Sequence, residues 1–218
     1  MLNMDFNKRV VITTDDLEWQ ESPKPGVWRK PLAREEAERG HATSIVRYDA
    51  GANFHAHNHP LGEEILVLDG TFSDETGDYH AGCYFRNPEG FRHAPFSNEG
   101  ALILVKLHQF QSGDDTHLTI QTGTATWQTD SRGIEGLHLH AFNDEQVALE
   151  RWPAQMKTTR PAAAGGEELY VISGELRDTQ GTYPAGSWLR NPAVEAGQED
   201  IPCSVTEETL IWIKTGHL

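Results

Sequence analysis

The sequence contains only two cysteines, Cys83 and Cys203, among 218 residues. They do not form a Cys-x2-Cys pair, so neither a disulfide framework nor a cysteine-based zinc site is predicted. Free cysteine is one of the most frequently buried residue types. We therefore expect both thiols to pack in the core.

Basic residues are also scarce, since 18 Lys and Arg stand against 33 Asp and Glu and give a formal net charge of -15. This charge repels phosphate backbones and anionic lipids, which argues against direct binding to nucleic acids or membranes. Apolar runs are short, and the longest aliphatic stretch, residues 101–105, is far below the roughly 20 residues of a membrane span. The N-terminal residues lack the apolar segment of a signal peptide, and we expect a cytoplasmic protein.

The hydrophobic pattern of the sequence predicts no amphipathic helix. The one helix-like stretch, Leu32–Gly40, is rich in charge but has no apolar stripe, so it is predicted to be a solvated loop or a single turn. Short β-branched or alternating segments, such as Val10–Thr13 and Ser44–Tyr48, are separated by turn residues. This alternation of short strand-like segments and turns favours an all-β fold.

The second half of the chain repeats the first. Residues 166–192 follow the pattern of residues 62–88 at an offset of 104 positions, from Gly-Glu-Glu at the start to Arg-Asn-Pro at the end. Such a unit of about a hundred residues is a whole domain, whereas solenoid repeats run roughly 20–50 residues. We predict two tandem β domains, residues 1–115 and 116–218, divided at a polar segment.

One segment of the first half concentrates metal-ligand side chains. His55, His57 and His59 alternate, so they share one face of a strand. Glu63 follows a turn that would fold its carboxylate back beside the imidazoles, and His93 follows a second Pro- and Gly-containing turn. Imidazole and carboxylate donors suit zinc, iron, manganese, nickel or copper. We predict one divalent metal held by His57, His59, Glu63 and His93, with His55 either beside the site or exposed.

The spacing Gly51-x5-His57-x-His59-x3-Glu63-x6-Gly70, followed by Gly82-x5-Pro88-x-Gly90-x2-His93, resembles the two motifs of the cupin superfamily. The one departure is Ser97 where the second motif has asparagine, and it touches no ligand. The residues from 62 to 88 further resemble the cupin part of ChrR-type anti-sigma factors. This resemblance implies two tandem cupin barrels, also called double-stranded β-helix or jelly-roll barrels.

The second repeat lacks the histidines. Pro161, Ala163 and Gly197 stand at their positions, and only Glu167 is retained. One carboxylate is not enough to hold a transition metal, so the second domain is predicted to be a degenerate cupin without metal. Its expected roles are dimerisation to a homodimer, binding of a small organic molecule in the barrel, or covering the first domain.

The resemblance leaves more than one function open. In ChrR-type proteins the cupin part senses reactive oxygen, and a separate helical domain with a His-x3-Cys-x2-Cys zinc site binds a sigma factor. The sequence has no counterpart of that domain, so a sigma factor or regulatory protein as partner is in doubt, and we predict that the chain alone does not silence a sigma factor. Related cupins with a similar metal set are dioxygenases of dicarbonyl or hydroxyketone substrates. A storage or binding module is the third hypothesis.

Metal identity separates these hypotheses. Three imidazoles and one carboxylate saturate tetrahedral Zn²⁺, whereas on Fe²⁺ or Mn²⁺ they leave about two octahedral positions open. We expect Zn²⁺, with Fe²⁺, Mn²⁺ and Ni²⁺ as alternatives, and favour the sensor over the enzyme. Cys83 is a candidate redox group only if its side chain reaches the metal cavity. Glu64, on the other face of its strand, is predicted to be a surface carboxylate.

Overall fold

The structure is a computed structural model that describes residues 1–36, 39–195 and 197–218. Its regular elements are one 3-10 helix, Thr14–Asp16, and short strands. In this part of the chain no helix is long and apolar enough to cross a membrane. The strands, in chain order, are β1 (Val10–Thr13), β2 (Gln20–Glu21), β3 (Val27–Arg34), β4 (Ala42–Tyr48), β5 (His57–Asn58), β6 (Glu63–Asp74), β7 (Gly77–His80), β8 (Cys83–Asn87), β9 (Arg92–His93), β10 (Ala101–Leu107), β11 (Leu118–Gln121), β12 (Gln128–Thr129), β13 (Glu135–Phe142), β14 (Glu145–Trp152), β15 (Lys157–Arg160), β16 (Glu167–Ser173), β17 (Glu175–Asp178), β18 (Thr182–Pro184), β19 (Ser187–Asn191), β20 (Ile201–Val205) and β21 (Thr209–Thr215).

The strands group into two compact units. Unit 1 comprises residues 1–4 and 17–125, and unit 2 comprises residues 5–16 and 126–218. Unit 1 contains the sheet β11-β8-β6-β10-β4-β3-β2, with β7 on β6, and the small pair β5-β9. Unit 2 contains the sheets β1-β19-β16-β21-β14-β13-β12 and β15-β20-β17-β18. The prediction of an all-β fold is confirmed.

Each unit contains one strand from the sequence of the other repeat. In unit 1, β11 pairs with β8 and sets Leu118 opposite Arg86. In unit 2, β1 pairs with β19 and sets Val10 opposite Arg190, which is the repeat counterpart of Arg86. The two strands therefore take equivalent places in their sheets. Independent folding of the two parts on either side of the predicted domain boundary, between residues 115 and 116, stays a prediction. In the sequence, β11 lies after this boundary.

A β-bulge in β3 decides which of its side chains face the interior of unit 1. Arg29 pairs with Val46, and after a register shift Arg34 pairs with Ala42. Residues five apart would lie on opposite faces of a regular strand, but the extra residue of a bulge restores the same face. Val46 and Ala42 both line the interior cavity of unit 1, so Arg29 and Arg34 share that face.

The structure around the bulge differs from the sequence-based expectation for residues 32–40. Leu32 and Ala33 are fully buried, and β3 continues through Arg34. The predicted solvated loop or single turn is wrong for Leu32–Arg34, because apolar burial and pairing with β4 hold them in the sheet. Residues 37 and 38 of the predicted turn lie outside the described residues.

Apolar side chains fill the interior of each unit. In unit 1, Val67, Phe85 and Ile103 belong to one buried cluster that also contains Cys83. In unit 2, the corresponding cluster includes Cys203. Each fully buried large apolar side chain contributes about 1.5–3 kcal/mol to folding. These clusters hold the barrels from which the site residues project.

Candidate metal centre

Short elements of unit 1 bring the predicted ligands together. β5 pairs with β9, so that His57 lies directly opposite His93. β6 begins at Glu63, immediately after Gly62, whose φ is 78°. A Cβ on Gly62 would lie 2.4 Å from the Phe110 ring. Only glycine fits this turn, and the turn sets the start of β6 beside the histidines.

The donor atoms of these side chains converge. His57, His59 and His93 each offer a ring nitrogen, and the three atoms lie within 4.8 Å of one another. The Nε2 atoms of His59 and His93 are 2.9 Å apart. Glu63 Oε2 lies 3.3 Å from His93 Nε2 and 3.6 Å from His59 Nε2.

These separations suit a single ion. With metal–nitrogen distances of about 2.0–2.1 Å, adjacent ligands lie about 3.0 Å apart in an octahedron and about 3.3 Å apart in a tetrahedron. The spacings of 2.9, 3.3 and 3.6 Å between the donor atoms bracket both values. The four side chains could therefore hold a divalent metal in either coordination geometry.

Hydrogen bonds behind the donors orient them. His93 Nδ1 lies 3.0 Å from Asp74 Oδ2, and His57 Nδ1 lies 2.7 Å from the backbone oxygen of His55. With Nδ1 protonated, each ring donates to its oxygen and keeps the lone pair of Nε2 for a metal. Asn87 Nδ2 donates to Glu63 Oε2 at 3.0 Å and fixes the carboxylate.

The protonation of the cluster follows from burial and from these contacts. Burial, and then the positive charge of His57 and His93, lowers the pKa of His59 to about 3. Burial also disfavours charged His93, but the hydrogen bond to Asp74 and the charge of Glu63 outweigh it and raise the pKa of His93. Burial raises the pKa of Glu63 against the opposing influence of His93 and Asn87. A bound cation would favour the ionised carboxylate and neutral imidazoles.

The cluster borders an interior cavity of about 480 Å³. His57, His59 and Glu63 line it, and Phe54 and Phe72 contribute aromatic walls. The Phe54 ring also packs 5.3 Å from the His57 ring. This volume lies within the range of small-molecule pockets. A small organic molecule could therefore reach the donor atoms.

Sequence reasoning missed three residues of this site. Asp74 and Asn87 support the donors, and both have identical counterparts in the second repeat, which was the available signal. His108 also belongs to the surroundings of the site, because β10 pairs with β6 and brings His108 to the cavity wall beside Glu63.

Three other residues near the motif have different surroundings from the site. Cys83 is fully buried in the apolar cluster, and burial raises the pKa of its thiol to about 11. The side chain of His55 is exposed, and its backbone oxygen receives the His57 hydrogen bond. Glu64 is buried, 3.2 Å from Arg86 Nη1. The prediction of a surface carboxylate is wrong, because β6 sets Glu64 opposite Arg86 on β8.

The second repeat surrounds its retained carboxylate differently. Glu167 accepts a hydrogen bond from Asn191 at 2.7 Å, as Glu63 does from Asn87. Its other oxygen forms a buried ion pair with Arg160. Where unit 1 sets three imidazoles beside the carboxylate, unit 2 supplies a guanidinium.

Solved structures share this architecture. A protein from Nostoc punctiforme PCC 73102 with a provisional dioxygenase assignment has 14% identity and a TM-score of 0.75, over 97% of this chain and 84% of its own. The Escherichia coli pirin YhhW in complex with nickel(II) has 13% identity and a TM-score of 0.72, over 95% and 98%. A Bacillus subtilis oxalate decarboxylase has 14% identity and a TM-score of 0.61, over 95% and 77%. At such identities the likeness concerns the fold.

Sequence comparison adds the family. Among curated proteins, none matches the chain. A family model described as the ChrR Cupin-like domain matches it twice, over residues 7–111 and 115–218. The two matches and the cupin-fold neighbours confirm the prediction of two tandem cupin barrels. The chain therefore belongs to the ChrR Cupin-like domain family.

Proposed function

We propose that unit 1 holds one divalent metal through His57, His59, Glu63 and His93 and acts through it on a small organic molecule. The observation that carries this proposal is the cavity of about 480 Å³ onto which three of these side chains open. Catalytic metal sites keep a position open for a ligand, whereas structural sites are closed. A cavity at the donors favours the first kind.

The contacts in the site indicate the role of the metal and of each surrounding residue. A bound metal would polarise a ligand oxygen, and iron or manganese would add redox chemistry. Asp74 holds the His93 ring in one orientation, and Asn87 holds the Glu63 carboxylate. Phe54 and Phe72 reduce the water around the reacting ligand because they form part of the cavity wall.

The reaction we propose is metal-dependent dioxygenation of a dicarbonyl or hydroxyketone substrate. The provisional assignment of the Nostoc neighbour supports this class of chemistry. The sequence had favoured a sensor, but a sensor that responds through Cys83 would need an accessible thiol. Cys83 lies in the apolar core with a raised thiol pKa. Because the donors open onto a cavity, we rank the enzyme above the sensor.

The second candidate is a regulatory cupin that holds Zn²⁺ and responds to reactive oxygen. Membership of the ChrR Cupin-like domain family favours it. In this case the four donors saturate the metal, and the response is loss of metal or a change of shape. A cytoplasmic homodimer that contacts a sigma factor or another regulatory protein would be the working form.

Metal analysis combined with oxygen-uptake measurements tests both candidates. The wild-type chain is expected to carry one metal, and His57→Ala/His59→Ala is expected to carry none. Glu167→Gln, in unit 2, is the matched control and should retain the metal. Oxygen uptake by the iron-loaded protein with acetylacetone supports the enzyme. Bound zinc, no uptake and release of metal by hydrogen peroxide support the sensor. A double variant with stoichiometric metal would overturn the ligand assignment.

A further inference from the structure

Strand β4 presents one row of side chains to the interior of unit 1. Ala42, Ser44, Val46 and Tyr48 alternate along this strand, and all four line the cavity of about 480 Å³. They share the interior face because side chains of a regular strand alternate between its two faces. Two of them are polar and buried, with 3% of Ser44 and 6% of Tyr48 exposed. The cavity wall therefore contains two hydroxyl groups from β4.

In the part of the chain that the structure describes, neither hydroxyl has a hydrogen-bond partner. Each oxygen keeps some accessible surface, and each side chain lines the cavity. A buried polar group without a partner is costly, so buried hydroxyls ordinarily bond to protein atoms, to water or to a ligand. Both hydroxyls can therefore bond to a molecule in the cavity.

Ring contacts and charge link Tyr48 to the metal donors. The ring of Phe72 lies 5.4 Å from the ring of Tyr48 and 6.3 Å from the ring of His93. A single aromatic side chain thus separates Tyr48 from a donor. Burial raises the pKa of Tyr48, and the charge of Glu63 raises it further against a smaller opposing influence of Arg29. The phenol therefore stays protonated and donates a hydrogen bond.

The register of the sheet links Ser44 to Glu63. Val105 on β10 pairs with Ser44 on one side and with Ile65 of β6 on the other. Ile65 is two residues from Glu63 along β6, so the two share a face. Ser44 therefore lies one step along the interior face from the level of the glutamate.

The second repeat lacks both hydroxyls. At the offset of 104 positions, Ala148 stands in place of Ser44 and Trp152 in place of Tyr48. The indole Nε1 of Trp152 donates to Glu150 Oε2 at 2.9 Å, so this polar atom has a partner within the protein. The unit with the clustered histidines is thus the one whose cavity contains hydroxyls open to a ligand.

We propose that the hydroxyls of Tyr48 and Ser44 bind the oxygen atoms of a small uncharged carbonyl compound in the cavity of unit 1. A neutral phenol donates to a carbonyl oxygen, and a serine hydroxyl donates or accepts. A site that hydrogen-bonds its ligand discriminates against an analogue without the bonding group, because its own polar groups are then left unpaired. The inference rests on the proposed function for the reaction at the metal and goes beyond it in naming the residues that recognise the substrate.

Ligand-detected proton NMR titration of the full-length, metal-stripped protein tests this inference with two matched pairs of compounds. Acetylacetone is compared with pentan-2-one, and 3-hydroxybutan-2-one with butan-2-one. In the wild type, the compound with two oxygens is expected to bind at least about threefold more tightly than its mono-ketone. Tyr48→Phe/Ser44→Ala should bring the two affinities to within about twofold of each other, and each single variant should give an intermediate ratio.

Tyr79→Phe is the matched control. Its hydroxyl already bonds to Thr76 Oγ1 at 2.6 Å, so its removal should leave the ratio of affinities unchanged. Thermal unfolding of the metal-stripped proteins adds a second measurement. The Tm should fall in Tyr79→Phe, which loses a protein hydrogen bond, but not in Tyr48→Phe/Ser44→Ala. A lower Tm with an unchanged ratio in the double variant would show a structural role for the hydroxyls and overturn the inference.

The zinc-loaded protein separates this inference from the proposed function. A preference that depends on Tyr48 and Ser44 in metal-stripped protein supports the hydroxyl site even if the metal assignment fails. Binding to zinc-loaded protein that is lost in His57→Ala/His59→Ala but unchanged in Tyr48→Phe/Ser44→Ala supports the metal site alone and overturns the inference. It is equally overturned if none of the four compounds binds or if neither pair shows a preference.

Discussion

Units 1 and 2 keep the same buried glutamate and the same supporting asparagine but surround the carboxylate differently. Glu63 lies among three histidines, whereas Glu167 pairs with Arg160. A buried carboxylate without a counter-charge is costly, and in the second repeat, which has no histidines at these positions, the guanidinium of Arg160 supplies that charge. The difference teaches that the same buried glutamate can be accommodated either among imidazoles or beside a guanidinium.

Removal of the guanidinium in unit 2 should have the largest effect. Arg160→Ala is expected to destabilise unit 2 by about 3–5 kcal/mol, because it leaves Glu167 buried and unpaired. Urea unfolding followed by tryptophan fluorescence measures this effect, since Trp152, Trp188 and Trp212 are buried in unit 2. Metal content should remain that of the wild type.

Two further variants keep this first test decisive. Arg160→Ala/Glu167→Gln should recover much of the lost stability, because the uncompensated charge is gone. Arg177→Ala removes the partner of Glu175 in an ion pair of partly exposed side chains and should cost about 0–1 kcal/mol. A loss below about 1 kcal/mol for Arg160→Ala would break the comparison between the two glutamates.

The next effect concerns the carboxylate behind His93. Asp74→Asn should weaken metal binding about 10–100-fold, because it replaces the charged acceptor that orients the ring. Competition against a chelator measures the affinity. Asp178→Asn changes the repeat counterpart in unit 2 and should leave metal affinity unchanged. Equal effects of the two substitutions would indicate general destabilisation instead of support for the ligand.

Much of this arrangement could be predicted from the sequence, because ligands and turns are local. The alternation of His57 and His59 and the glycine turn before Glu63 lie within short segments, and the repeat is found by comparing one short segment with another. The β fold follows from the same short strands and turns. These features needed no knowledge of which strands are neighbours.

The rest depends on long-range pairing. His108 reaches the cavity because β10 pairs with β6, and Glu64 is buried because Arg86 lies opposite it. Arg34 faces inward only through a register shift between β3 and β4. The pair of Arg160 and Glu167 is an exception, because the two residues are only 7 positions apart, but the sequence offers no ligand-like spacing there. A sequence pattern with period two predicts which side chains of a strand share a face. It does not predict which strand is the neighbour or where a bulge shifts the register.

Acidification should act on unit 1 before unit 2. The raised pKa of His93 means that this ring takes up a proton early as the pH falls, while His59, with a pKa of about 3, stays neutral. Protons compete with metal for the same Nε2 atoms, so metal affinity should fall about tenfold per pH unit for each proton taken up. Chelator competition between pH 8 and pH 5 measures this.

Unit 2 is the control for the acid effect. The guanidinium of Arg160 stays charged throughout this range, and its ion pair with Glu167 should persist. The near-ultraviolet circular dichroism of the buried tryptophans in unit 2 should therefore change little while metal is lost. Metal content that is independent of pH would contradict the proposed histidine ligands.

The smallest expected effect is that neither thiol reacts in the native protein. Burial raises the pKa of Cys83 to about 11, and burial also raises the pKa of Cys203, although the nearby charge of Arg160 opposes it. A thiol reacts as the thiolate, so a disulfide reagent at pH 8 should modify neither cysteine in the native protein and both in urea. Among the two, Cys203 should react first as urea is added, because the guanidinium favours its thiolate. One rapidly modified thiol in the native protein, abolished by Cys83→Ser, would instead give unit 1 an accessible redox group and restore the sensor as the better hypothesis.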